Sequence, residues 1–346
     1  MGTRATGLGN PRAGPCFCGR GTSVTFDAAW SLVADAVSEG RIPGAVFGVS
    51  DGGERRVAWA GHAMTQPERV PMARDTVFDL ASVTKPVFTT ERILSHAASG
   101  RIDLDAPVTS VIPDFRQYDV QCWERRVTLR DCLGHQTPFP AVEPIYTYGD
   151  ERATLRAFVL QREWRRLDVP VYSDINFVLL GIALERLEGR GIRDMDPGAW
   201  FTFAPDPDAT AATEACTWRG RVMRGEVHDE NCYALQGAGH SGLFGSAEAL
   251  LEFSEAAFAR GPGLITTPLS ATRTHGWERR HPGWSGGQAC TAETIGHTGF
   301  TGTGLWLDFG AGRAWTLLTN RVHPTRHADT GIGPLRQAVG ETLYRE

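Results

Sequence analysis

The sequence predicts an α+β fold, because its two ends carry the same kinds of element in mirrored order while its middle carries a different kind. At the start, FDAAWSLVADAVSEG puts Phe26, Trp30, Val33 and Val37 on one helical face, with Gly40 as the stop. GAVFGVSD and RRVAWAGHA follow as two strands joined by the turn DGGE. At the end, GLWLDFGAGRAWTLLTN reads as a second hairpin and IGPLRQAVGETLYRE as a closing helix. Both ends therefore build one sheet with helices packed on a face, from residues 26–75 and 241–346. Residues 76–240 read as a mostly helical domain between them. Residues 1–25, rich in Gly, Pro and Arg, bury too little surface to fold and read as a disordered tail.

Composition narrows the function classes. A chain of 346 residues has core enough to fold without staples. Its 35 Lys plus Arg are outnumbered by 40 Asp plus Glu, for a net charge of -5, and form no basic stripe, so nucleic acid is not expected as a partner. Seven cysteines, an odd number with no regular spacing, suit reduced thiols, and Cys16 and Cys18 lack a second pair at metal-ligand spacing. The N-terminal residues contain no continuous apolar stretch of the secretory kind, and no run approaches a membrane span. A cytoplasmic location is the expectation, with a periplasmic or extracellular one if the start is mis-assigned.

Chemistry enters at DLASVTKPVFTT, where Lys85 is the only lysine of the chain. Arginine replaces lysine at most exposed positions but not where a cation must lose its proton, so Lys85 is a candidate base or Schiff-base amine. Ser82 lies three residues earlier, within reach on a helical face, and Pro86 belongs in a first helical turn. Ser82 is therefore expected at a helix N-terminus, as a nucleophile with Lys85 to take its proton. In PVYSDINFVLLGIALERLEG, Tyr172 and Asp174 precede an apolar helix over 177–187, and an ammonium nearby would favour the Tyr172 phenolate. In GHTGFTGTGLWLDF, His297, Thr298 and Gly299 are read as opening a strand whose edge offers the Phe300 N–H as an oxyanion donor.

Taken in order, Ser82-x-x-Lys85, Tyr172-x-Asp174 and His297-Thr298-Gly299 resemble the serine beta-lactamase and penicillin-binding-protein family, in its branch of class C-like beta-lactamases, D-aminopeptide hydrolases and related esterases. The stretches VHDENCYALQGAGHSGLFGSAEALLEF and LLTNRVHPTR look like the same branch, and coverage runs from about residue 26 to the end. The resemblance implies a sheet flanked by helices, a mostly helical second domain and a cleft between them. It also implies a serine hydrolase, working without a cofactor through an acyl-enzyme on Ser82. Lys85 and Tyr172 would then move protons, the Ser82 and Phe300 N–H groups would hold the oxyanion, and Asp174, His297, Thr298 and Gly299 would meet the substrate. Two residues depart from the better-known pattern: Asp174 stands where asparagine is usual, and His297 where many beta-lactamases carry lysine. An aspartate cannot donate an amide N–H, and a histidine is a weaker anchor for a penicillin's carboxylate. The expected substrate is a small ester, amide or lactam, with a short ester or D-amino-acid peptide favoured over efficient penicillin hydrolysis.

Other features weigh less. Ser285 in GWSGG matches a nucleophile elbow, but the residues after it do not read as a helix. His228, Asp229 and His240 fit no zinc spacing and read as a loop near the cleft. Arg321 and Arg326 are candidates to meet a substrate carboxylate. Two alternatives remain open: a non-catalytic binding protein on the same fold, and a pyridoxal phosphate enzyme using Lys85.

Overall fold

The computed structural model describes residues 23–345. Most of the expected tail, with Cys16 and Cys18, lies outside the described residues. Helix α1 already begins at Ser23 rather than Phe26 and runs Ser23–Ser38. The strands are β1 Gly44–Asp51, β2 Glu54–Met64, β3 Val70–Pro71, β4 Phe78–Asp79, β5 Ala215–Cys216, β6 Arg221–Val222, β7 Phe244–Gly245, β8 Glu278–Arg279, β9 Thr294–Thr298, β10 Gly304–Asp308 and β11 Arg313–Thr319. Seven form one antiparallel sheet in the order β3-β2-β1-β11-β10-β9-β8, so the first and last hairpins meet along β1 and β11, with Phe47 opposite Leu317. The other four pair as β4 with β7 and β5 with β6.

Along β1 and β11 the side chains alternate, as the period of two demands. Phe47, Val49, Trp315 and Leu317 join Phe26 and Val33 of α1 in one core, completed by Leu335 and Val339 of a C-terminal helix over Ile332–Leu343. Val46 and Leu318 face the other way, into the core that holds Leu250 and Leu251 of a helix over Ala247–Arg260. The sheet is thus covered on both faces, not one. The signal was β1 itself, buried at every position but its last, as strands covered on both sides are.

The residues between the sheet's two halves carry helix α2 Glu91–Ala98 and a long apolar helix, here α3, over Asp174–Glu188. Helix α3 starts at Asp174, three residues earlier than its apolar pattern indicated. Gly181 on α3 and Gly239 approach so closely that a Cβ on Gly181 would lie 2.4 Å from the Gly239 nitrogen. This contact, together with the Thr89 hydroxyl donating to the Gly239 carbonyl (2.6 Å), fixes the loop that brings His240 under the cleft.

Candidate active site

Ser82 sits in a single 3-10 turn, Ala81–Val83, followed by a π-helical turn, Lys85–Thr90, that runs into α2. The expected helix N-terminus at Ser82 is thus a tighter device, with Pro86 in the first positions of the wider turn. Ala81 takes φ 47°, a left-handed conformation unusual for a residue with a side chain. The buried Asp79 carboxylate holds it there, accepting from the Ala81 N–H (2.8 Å) and from the His228 N–H (2.6 Å). Thr301 and Thr303 donate to the carbonyls of Asp79 (2.8 Å) and Leu80 (2.9 Å), tying the β9–β10 loop to the serine turn. Gly299 is required at the crossing, since a Cβ there would lie 2.6 Å from the Leu80 carbonyl oxygen.

Lys85 is 0% exposed. Its Nζ donates to Ser82 Oγ (2.9 Å) and the His240 carbonyl (3.0 Å), and lies 2.7 Å from Asp174 Oδ1. The Asp174 contact is close but poorly aligned for a hydrogen bond, so its strength is mainly Coulombic. Burial pulls the Lys85 pKa down, yet the Asp174 carboxylate works against it and the group stays above its ordinary value. That direction runs against the expected loss of its proton, because the Asp174 carboxylate 2.7 Å away favours the charged amine. The amine is also enclosed and absent from the cavity wall, leaving no open face for a cofactor aldehyde.

Tyr172 is held as a phenol, not the expected phenolate. Burial pushes its pKa up by more than Lys85 lowers it, and Asp174 raises it further. Its hydroxyl is buried, within interaction range of Ser82 and Lys85 but in hydrogen-bond geometry with neither. Its ring lies between two imidazoles, with centroids 4.4 Å from His135 and 5.8 Å from His297, and the Arg273 guanidinium is 5.2 Å from its centre. Burial, Arg273 and Lys85 drive His135 well below its ordinary pKa; burial, Lys85 and Arg273 do the same to His297. Both rings are neutral.

His297, Thr298 and Gly299 close strand β9 rather than open one, because β9 ends at Thr298 and the chain turns into the loop before β10. Phe300 follows with its ring 49% exposed, and its N–H has no acceptor among the described residues. Arg321 donates to the Phe300 carbonyl (2.9 Å) and sits 4.8 Å from the ring centre. Arg326 is committed elsewhere, to Glu214 (2.6 Å) and Glu230, so it is not a free substrate anchor. His228 pairs with Glu214 (3.1 Å) and His240 with Asp229 (2.8 Å), forming two separate acid–imidazole pairs. Ser285 accepts from Trp306 Nε1 (3.2 Å), and Trp306 belongs to the core on the α1 side of the sheet, away from the cleft.

These groups share one cavity of about 680 Å³, lined by Ser82, Tyr172 and Asp174 on the helical side and by His297 to Phe300 on the sheet side. Sequence reasoning missed Asp79, His135, Arg273 and Arg336, and named His240 only as part of a loop near the cleft. Arg336 is 7% exposed, donates to the carbonyls of Gly299 (3.2 Å) and Thr303 (2.7 Å), and has its pKa pulled down to about 9 by burial and by Arg321.

Residues 30–339 match the Beta-lactamase family. An N-acetylmuramyl-L-alanine amidase of Bacillus subtilis is 26% identical over 306 residues, 73% of this chain and 69% of that protein. Esterase EstB of Burkholderia gladioli is 27% identical, over 93% of this chain and 97% of the esterase. Among solved structures, EstCE1, described as a hydrolase with promiscuous acyltransferase activity, superposes with a TM-score of 0.72 at 18% identity, over 94% of this chain and 99% of its own. A beta-lactamase from Sulfitobacter sp. EE-36 superposes with a TM-score of 0.70 at 18% identity, over 93% and 98%. The serine turn, the enclosed lysine and the β9 edge thus stand in a chain that belongs to the beta-lactamase family and is a serine hydrolase.

Proposed function

We propose that the cleft hydrolyses a carboxylic ester or amide through an acyl-enzyme on Ser82. The observation that carries this reading is the 2.9 Å hydrogen bond between Ser82 Oγ and an ammonium that is itself fully enclosed. Lys85 orients Ser82 and favours negative charge on its oxygen as it attacks, while the Ser82 and Phe300 N–H groups receive the carbonyl oxygen. Water then releases the acyl group. The amidase and esterase among the relatives support both bond types.

The charge in the cavity supports a substrate with an anionic group. Arg273, Arg321 and Arg336 line it from three segments, and none has a carboxylate within the 4.0 Å of an ion pair among the described residues. A buried cation without a partner is costly, and a bound carboxylate would relieve that cost. Neutral His297 cannot be the anchor, so the arginines take that role. We expect 3-carboxyphenyl butyrate to exceed phenyl butyrate in kcat/KM, and Arg336→Met to cut that preference about tenfold or more. An unchanged ratio in the variant would remove Arg336 from recognition.

Ser82 itself is tested by mass. Rapid-quench mixing of the protein with p-nitrophenyl butyrate should add one butyryl group, mapped to the peptide carrying Ser82 and absent from Ser82→Ala. An adduct that persists in Ser82→Ala would place the nucleophile elsewhere.

A further inference from the structure

The two N–H groups assigned to the substrate's oxyanion come from different segments, Ser82 from its 3-10 turn and Phe300 from the loop after β9, and stabilisation depends on the spacing between them. On the reading that Ser82 is the nucleophile, we propose that Asp79 is the positioning residue of the oxyanion site: it touches no substrate, and its side chain and main chain together tie both donor segments to one residue.

Each oxygen of the carboxylate serves one half. Oδ1 accepts from the Ala81 N–H (2.8 Å), the peptide group immediately before that of Ser82. Oδ2 accepts from the His228 N–H (2.6 Å), and the His228 ring lies against Phe300 with centroids 5.6 Å apart. The main chain adds a third tie, because the Asp79 carbonyl accepts from the hydroxyl of Thr301 (2.8 Å), the residue after Phe300. Asp79 itself is anchored on β4 opposite Phe244 of β7, and the Leu80 N–H donates to the Leu243 carbonyl (2.9 Å). The base of the turn is therefore fixed, and the carboxylate settles the course of the residues that follow.

Two features separate this role from ordinary packing. Asp79 is 2% exposed and does not line the cavity, and the neighbouring ion pairs join Lys85 to Asp174, His228 to Glu214 and His240 to Asp229. Among the described residues no cation lies within ion-pair distance of Asp79, so its burial costs desolvation without a Coulombic return. The second feature is Ala81, whose φ of 47° is disfavoured for a residue with a side chain. An unpaired buried carboxylate and a strained residue thus meet in one hydrogen bond, directly before the nucleophile. Strain of this kind persists where the surroundings over-determine it, and here the outcome is the direction of the Ser82 N–H.

Asp79→Asn is the first test. An amide accepts at one oxygen and turns a donor toward the other backbone N–H, so one tie is lost, and the strained Ala81 is the partner expected to be released. With p-nitrophenyl butyrate, kcat should fall about 10–100-fold with KM little changed, because a misplaced donor acts on the transition state. Butylboronic acid, which forms a tetrahedral adduct on a serine oxygen, should bind more weakly by the same factor as kcat/KM. Glycine takes the left-handed conformation without penalty, so adding Ala81→Gly to Asp79→Asn should recover about tenfold in kcat. A purely structural Asp79 would lower thermal stability and leave kcat and boronate affinity of the folded protein where they were.

Thr301→Val carries the test should Asp79→Asn not fold, since it removes the tie on the Phe300 side and keeps the shape of the side chain. It too should lower kcat and boronate affinity in step, by about tenfold. A folded Asp79→Asn with wild-type kcat, a loss confined to KM, no recovery on adding Ala81→Gly, or a Thr301→Val with unaltered boronate affinity would each overturn the proposal. The butyryl adduct keeps two failures apart: an adduct on Ser82 with an indifferent Asp79 sinks the positioning role alone, whereas no adduct on Ser82 sinks the reading beneath it.

Discussion

Lys85→Arg should lower kcat/KM for p-nitrophenyl butyrate by at least about 10³-fold, though the charge is kept and arginine serves everywhere else in this chain. The reason is the shape of the space. Nζ has two hydrogen-bond acceptors, Ser82 Oγ at 2.9 Å and the His240 carbonyl at 3.0 Å, and an ion-pair partner in Asp174 Oδ1 at 2.7 Å, with no exposure to solvent. A tetrahedral ammonium suits that arrangement. A planar guanidinium is wider and presents its donors in a fork, so it must either displace Ser82 or tilt away from Asp174. Overpacking a full site also costs about 1–3 kcal/mol of stability, so a fall in melting temperature is expected beside the loss of rate. Circular dichroism and thermal melting separate the two effects, because a folded, inactive Lys85→Arg locates the loss in the site. A folded variant with near-normal turnover would mean that the ammonium's geometry does not matter. The enclosure gives a physical reason for one lysine among 34 arginines that does not require deprotonation.

How far the sequence could be read depended on the distance over which each feature is encoded. Ser82 and Lys85 were legible because three residues of helical spacing bring them together, and the structure keeps that proximity although the turn is 3-10 and then π rather than α. Tyr172 and Asp174 were legible as polar residues immediately before a strongly apolar helix. The residue pattern alone put helices on one face of the sheet, whereas the resemblance implied a sheet flanked by helices, which the structure has on both faces. Asp79, His135 and Arg336 were not legible, since tertiary packing alone brings them to the site. Asp79, for example, reaches the His228 N–H across 149 positions. The charge states failed for the same reason: the sequence placed a carboxylate in the motif but could not say that it lies 2.7 Å from the amine. That distance favours the charged amine over the expected base. The neutral ring of His297, by contrast, results from burial and from cations on several elements, which no local spacing encodes.

Asp174→Asn should reverse how Lys85 responds to pH, and the sign follows from linkage. In the wild type the folded pKa of Lys85 is raised above its unfolded value of about 10.4. Its contribution to stability is therefore complete below that value and is lost as pH rises through the folded pKa. With asparagine the Coulombic support of Asp174 is gone and burial pulls the folded pKa below the unfolded one. The unfolded chain then binds more protons than the folded one between the two values, so stability rises with pH across that window. Urea unfolding of both proteins at pH 7 and pH 9 should show the variant weaker at pH 7, by about 1–3 kcal/mol, and recovering part of the loss at pH 9. The other titrating groups common to both proteins largely cancel in the difference. Parallel pH dependences would mean that Asp174 does not set the charge of Lys85. The same substitution bears on catalysis, because an amine freed of its proton can accept one from Ser82 directly. Aspartate at 174 therefore acts through the lysine: it favours the charged amine, whereas asparagine there would favour the free base that can take the Ser82 proton.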